Sequence, residues 1–139
     1  MPSATAELAV LDTSVYVDNF RSGRFESELL SLPFLVRVSA VVVAELARGA
    51  RARRERRFVE QLASGFPLVT PNDRDWVNSG RLMRKLADRH GFEIRKLREL
   101  HFDVLIALTA RRLGARLITC NTGDFRAIRE FLPFKLTCW

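Results

Sequence analysis

Four carboxylates stand where the local pattern asks for something else. Asp12 closes the apolar run Leu8-Ala9-Val10-Leu11, and Glu45 interrupts the apolar stretch 40–47. Asp103 opens Val104-Leu105-Ile106-Ala107-Leu108, and Asp124 follows Leu117-Ile118-Thr119-Cys120 after a short turn. Brought together, these groups would repel. Two carboxylates about 4 Å apart interact by roughly 4 kcal/mol at an effective dielectric of about 20. Such a cluster must take up protons or a cation, and an oxygen donor set favours Mg2+ or Mn2+ over zinc. The chemistry on offer is that of a metal-dependent enzyme.

Each acid also has a plainer explanation. Asp12 and Asp103 fit helix N-caps, a common use of aspartate worth about 1 kcal/mol. Asp124 fits a turn or cap in Asn121-Thr122-Gly123-Asp124. Glu45 is hardest to explain away. Apolar neighbours on both sides predict a helix covered nearly all round, where an unpaired carboxylate is expensive. The only histidines are His90 and His101. His101 lies two residues before Asp103, in a basic segment where a lone histidine reads as a surface residue.

The elements that must position the acids follow from the hydrophobic pattern. Strands are expected at 8–11, 35–38, 67–69 and 116–119, with a weaker one at 134–136. Helices are expected from the capping oxygens of residues 12–14 to about Phe20, over 25–30, over 40–48 behind a Ser39 cap and closed by Gly49, and over 51–64. Further helices are expected over 74–89, with Trp76, Leu82 and Leu86 on one face, and over 103–113, closed by Gly114. Strands alternating with helices imply parallel pairing through right-handed crossovers, hence a three-layer α/β/α sandwich around a mainly parallel sheet of four to five strands. Functional groups in such sheets collect outside the carboxyl ends of the strands. Asp12 ends the first strand there, and Asn121 and Asp124 lie just beyond the fourth. No repeat or linker divides the chain, so residues 1–139 are expected to form one domain.

Composition narrows the class. A hydrophobic fraction of 47% with 28% charged residues is that of an ordinary globular protein. No apolar run approaches a membrane span and no signal-peptide pattern opens the chain, so a cytoplasmic protein is expected. Cys120 reads as a small buried residue, and with Cys138 it makes no disulfide framework. The net charge is +7, and 20 of the 23 basic residues are arginine. They cluster at 48–57 and 81–98, which favours a polyanionic partner such as nucleic acid.

The same residues carry a resemblance. Leu11-Asp12-Thr13-Ser14-Val15, then Ala44-Glu45-Leu46 within 39–49, then Phe102-Asp103-Val104-Leu105-Ile106-Ala107, then Thr119-Cys120-Asn121-Thr122-Gly123-Asp124-Phe125 resemble the successive motifs of a PIN domain. The nearest subgroup is the VapC-type toxin of toxin–antitoxin pairs, and the likeness runs from about residue 8 to 136. It departs mildly where relatives often have Asp-Ala and then Leu-Ile-Ala-Ala. Here Val104 and Leu108 stand in those places, which changes packing and leaves the acids untouched.

The resemblance implies a Mg2+- or Mn2+-dependent endoribonuclease. Asp12, Glu45 and Asp103 match the core metal-binding acids, Asp124 the fourth and more variable one, and Thr13 and Asn121 the polar residues that support them. It implies one or two metal ions, metal-activated water attacking a phosphodiester of a specific cellular RNA, a cognate antitoxin laid over the site, and a homodimer. Arg48, Arg51, Arg95, Lys96 and Arg98 are the candidates for holding the RNA backbone. Alternatives are a PIN nuclease of RNA maturation, a nonenzymatic RNA-binding module, or a receiver-like signalling domain. The last would need a lysine after a late strand, but Lys135 falls inside the last one.

Overall fold

In the computed structural model, which describes residues 6–139, the central strand is β1 (Leu8–Leu11). Ala9, Val10 and Leu11 are all buried, as expected of a parallel strand covered on both faces. β1 pairs in parallel with β2 (Leu35–Ser39) on one side, Ala9 opposite Val36, and with β4 (Arg116–Thr119) on the other, Val10 opposite Leu117. β3 (Leu68–Val69) extends the sheet beyond β2, and β5 (Lys135–Cys138) extends it beyond β4. The sheet is thus five-stranded and wholly parallel, in the order β3-β2-β1-β4-β5. The chain first winds outward from β1 to β3, then returns to place β4 against β1. That reversal opens a crevice beyond the carboxyl ends of β1 and β4.

Seven helices among the described residues cover the sheet: α1 (Thr13–Ser22), α2 (Glu26–Leu30), α3 (Ala40–Gly49), α4 (Arg53–Gly65), α5 (Asp73–His90), α6 (Ile94–Arg112) and α7 (Thr122–Arg129). Ser39 caps α3 as expected, its hydroxyl accepting from the backbone N–H groups of Val41 (3.2 Å) and Val42 (3.4 Å). The core joins both faces through Val15, Val42, Leu86, Leu100, Ile106, Leu117 and Phe125. No helix of the described residues is long and apolar enough to cross a membrane. Residues 1–5, where a leader's basic start would fall, lie outside the described segment.

Several expectations are corrected. α6 begins at Ile94, well before Asp103. Leu97, Leu100, Val104 and Ala107 continue one helical stripe through a charged stretch, and the abrupt apolar change at Asp103 hid it. α7 was not among the expected helices, Asp124 being read as a turn or cap residue, but Phe125 and Ile128, three residues apart, anchor a helix to the core. On α5 the buried face runs Asp75, Ser79, Leu82, Leu86, while Trp76 is 54% exposed. Gly49 is the last residue of α3 without a left-handed turn, whereas Gly114, at φ 66°, does make the left-handed turn that closes α6. Cys120 is half-buried and Cys138 exposed, and both are free.

Candidate metal centre at the carboxyl edge of the sheet

Asp12 occupies the N-cap position of α1, yet its side chain caps nothing. Its backbone N–H continues the strand ladder by donating to the Ile118 carbonyl at 2.9 Å. Its Oδ2 accepts from the Ser14 hydroxyl at 2.7 Å and from the Thr119 hydroxyl at 2.9 Å. Those two hydroxyls are fully used. Ser14 Oγ accepts from the Cys120 backbone N–H, and Thr119 Oγ1 from that of Asn121. Each hydroxyl has one proton to give, so their mutual 3.3 Å contact is not a hydrogen bond when both donate to Asp12. Backbone geometry thereby aims two donors at one carboxylate oxygen, an arrangement made for the anion. Oδ1 receives no side-chain donor among the described residues.

Burial works the other way. Asp12 is 2% exposed, and desolvation raises its pKa even though the hydrogen bonds oppose the rise. Asp103 is more extreme. It projects from the interior of α6, not from its start, and burial, followed by the charges of Asp12, Glu45 and Asp124, pushes its carboxyl up to about 9. Glu45 is raised by burial and by Asp12, against a lowering from the Thr13 hydroxyl, which donates to its Oε1 at 2.9 Å, and from Arg48. The expected all-round cover of α3 is not found. Ala44 and Ala47 are exposed and Glu45 is half-buried, so one face of the helix is open. Asp124, on the first turn of α7, accepts at Oδ2 from Lys96 Nζ (2.8 Å) and from Asn121 Nδ2 (2.9 Å).

Of the four acids, carried by the β1 end, α3, α6 and α7, Asp103 therefore feels the charge of the other three, and Glu45 that of Asp12. Their chemistry suits a hard divalent cation: all donors are oxygens, the anionic forms are partly organised by hydroxyls, and only Asp124 has a cation in contact. Among the described residues, however, no three acids are already drawn into a metal cage.

The supporting residues divide similarly. Thr13 and Asn121 each hold an acid, and Lys96 holds Asp124. Arg48 sits with its guanidinium 5.5 Å from the Phe102 ring centroid and near enough to lower Glu45. Arg51, Arg95 and Arg98 are exposed and make no ion pair with the acids among the described residues. His101 is engaged elsewhere, with Nε2 2.8 Å from Ser79 Oγ. Sequence reasoning missed the roles of Ser14 and Thr119. Two hydroxyls flanking strand ends that carry an acid were the available signal, but only the β1–β4 pairing reveals that both serve Asp12. Beside the acids runs a cavity of about 140 Å³, lined by Thr13, Tyr16, Phe20, Glu45, Leu46 and Phe58 among others.

Residues 9–130 match the family model for the PIN domain, and the chain belongs to that family. The fold is also that of solved structures. VapBC-1 from nontypeable Haemophilus influenzae is 23% identical, with 95% of this chain and 98% of that one covered at a TM-score of 0.69. VapBC2 from Rickettsia felis, bound to a DNA fragment from its promoter, is 21% identical over 95% and 98%, at 0.67. VapBC-5 from Mycobacterium tuberculosis, a member of the VapBC family of toxin-antitoxin systems, is 23% identical over 95% and 98%, at 0.63. No curated protein sequence matches the chain.

Proposed function

We propose that this PIN-domain chain is a divalent-metal-dependent endoribonuclease and the toxin of a toxin–antitoxin pair. The observation that carries the reading is the convergence of Asp12, Glu45, Asp103 and Asp124, from four separate elements, at the crevice where the sheet reverses, with Asp103 held up to about 9 by burial and its three neighbours. Unrelated surface acids have no reason to share a desolvated corner.

Asp12, Glu45 and Asp103 would hold Mg2+ or Mn2+, with Asp124 at its margin. A bound ion of this kind supplies a nucleophilic water at neutral pH and stabilises charge on the phosphate and the leaving oxygen. The chain's own groups do the positioning. Ser14 and Thr119 orient the Asp12 carboxylate and favour its anionic form against burial, and Thr13 orients Glu45. Arg48 and the exposed Arg51, Arg95 and Arg98 would grip the RNA backbone, so affinity should fall with salt. Target choice would come from bases splayed out of a single-stranded loop. The antitoxin would lay an apolar segment in the groove that ends at Thr13 and Glu45, closing access to the acids. A homodimer working in the cytoplasm completes the proposal.

The test is expression without a partner. Wild-type chain should arrest growth and leave new RNA ends, while Asp12→Asn and Asp103→Asn, checked by circular dichroism to be folded, should do neither. Full toxicity in both variants would overturn the assignment.

A further inference from the structure

The four acids are held by different kinds of group. Asp12 and Glu45 are held by neutral hydroxyls, and Asp103 by no side-chain donor among the described residues. Asp124 alone is held by a cation. We propose that Lys96 is a resident counter-cation of the acidic cluster, occupying Asp124 so that Asp12, Glu45 and Asp103 take one divalent ion and not two. This rests on the metal-dependent reading above.

Three features of the pair support it. First, the contact is short and doubly secured. Lys96 Nζ and Asn121 Nδ2 donate to the same Asp124 oxygen, at 2.8 and 2.9 Å. With an ammonium and an amide on Oδ2, Asp124 could meet a metal only through Oδ1, and there beside a fixed positive charge. Second, neither partner sits on a loose loop. Lys96 belongs to the first turns of α6, Asp124 to the first turn of α7, and these helices pack against each other. Third, Lys96 and Asp103 lie seven residues apart on α6, two turns along one face, or roughly 10 Å of helix rise. The same rod presents a carboxylate deep in the crevice and an ammonium nearer its rim, and the ammonium's charge reaches Asp103.

Charge balance gives the pairing its consequence. With Lys96 in place the four carboxylates keep three uncompensated charges when ionised. One divalent ion leaves a single negative charge among them. A second would make the site net positive and would have to share Asp124 with an ammonium. Removing Lys96 leaves Asp124 with only the neutral Asn121 amide and returns its full negative charge to the cluster.

The experiment is a titration of metal-stripped full-length chain with Mn2+, counting bound ion by the loss of the free Mn2+ paramagnetic resonance signal and measuring affinity by calorimetry. Wild type should bind one ion. Lys96→Met, which keeps the aliphatic stem, should bind a second ion and hold the first at least tenfold more tightly, and a single ion in that variant would remove the limit from Lys96. Lys96→Arg should behave as wild type. Two ions in wild type, or an unchanged isotherm in Lys96→Met, would overturn the role of Lys96 while leaving the metal-dependent reading intact. No binding to wild type at millimolar Mn2+ would overturn both.

Discussion

Asp12 and Asp75 are both buried aspartates at the start of a helix, and the fold treats them in opposite ways. Asp75, 5% exposed, accepts from Arg112 Nε at 2.9 Å and from the backbone N–H of Asn72 at 3.1 Å, while Arg112 also donates to the Thr70 carbonyl. It caps its helix reciprocally with Asn72 and ties the start of α5 to the end of α6. Asp12, 2% exposed, receives two neutral hydroxyls and no cation. The same protein therefore balances one buried carboxylate with an arginine and leaves another unbalanced at the corner where we propose a cation is received. Burial alone does not mark a functional acid. Burial without a counter-charge does.

The contrast can be broken most directly with metal. Mg2+ or Mn2+ at about a hundred times its Kd should add about 2.7 kcal/mol of stability, or about 10 °C in Tm for a chain of this size. Scanning calorimetry of chelated and reloaded protein measures it. Asp75→Ala should lower the baseline and keep the increment, whereas Asp103→Asn should lose it. An equal increment in Asp103→Asn would place the ion elsewhere.

Next in size is the response to neutralisation without metal. Asp75→Ala strands Arg112 and should cost about 2 kcal/mol in urea unfolding, less than a fully buried pair because Arg112 is open to water. Asp12→Asn in the chelated protein should be neutral or stabilising, since it removes an uncompensated buried charge while keeping an oxygen for Ser14 and Thr119. A loss as large as that of Asp75→Ala would mean that Asp12, too, is structural.

The gentlest probe is pH. The folded Asp103 carboxyl, near 9, lies above its unfolded value of 3.8. Between these values the folded state binds the extra proton, so metal-free stability should fall as pH rises from about 4 to about 9. Asp103→Asn should flatten that decline, and metal affinity should rise over the same range because binding displaces the proton. A metal-free profile identical in wild type and variant would remove Asp103 from the cluster.

Much of this was legible in the residues themselves. The central strands announce themselves as β-rich apolar runs, and Ser39 as a cap before an apolar helix. The acids stand out because carboxylates interrupt those patterns. What stayed hidden depended on tertiary pairing or on mixed composition. Charged residues on the open face of α6 masked its first two turns, so Asp103 looked like a cap. Asp75 drew no notice and Trp76 looked like core, because nothing local says that Arg112 will arrive to cover the former. Ser14 and Thr119 serve one carboxylate from opposite ends of the chain, and Lys96 was one basic residue among many until α6 met α7.

The hydrogen bond from Thr119 to Asp12 closes a separation of 107 residues. During synthesis, Asp12 leaves the ribosome long before β4 exists to pair with β1, and Asp103, Asp124 and Thr119 all come from the last third of the chain. Until those later segments are made, the growing polypeptide carries a solvated, ordinary aspartate and no assembled centre. If the chain cuts RNA as proposed, the order of its strands withholds that activity until β4 and α7 have been added.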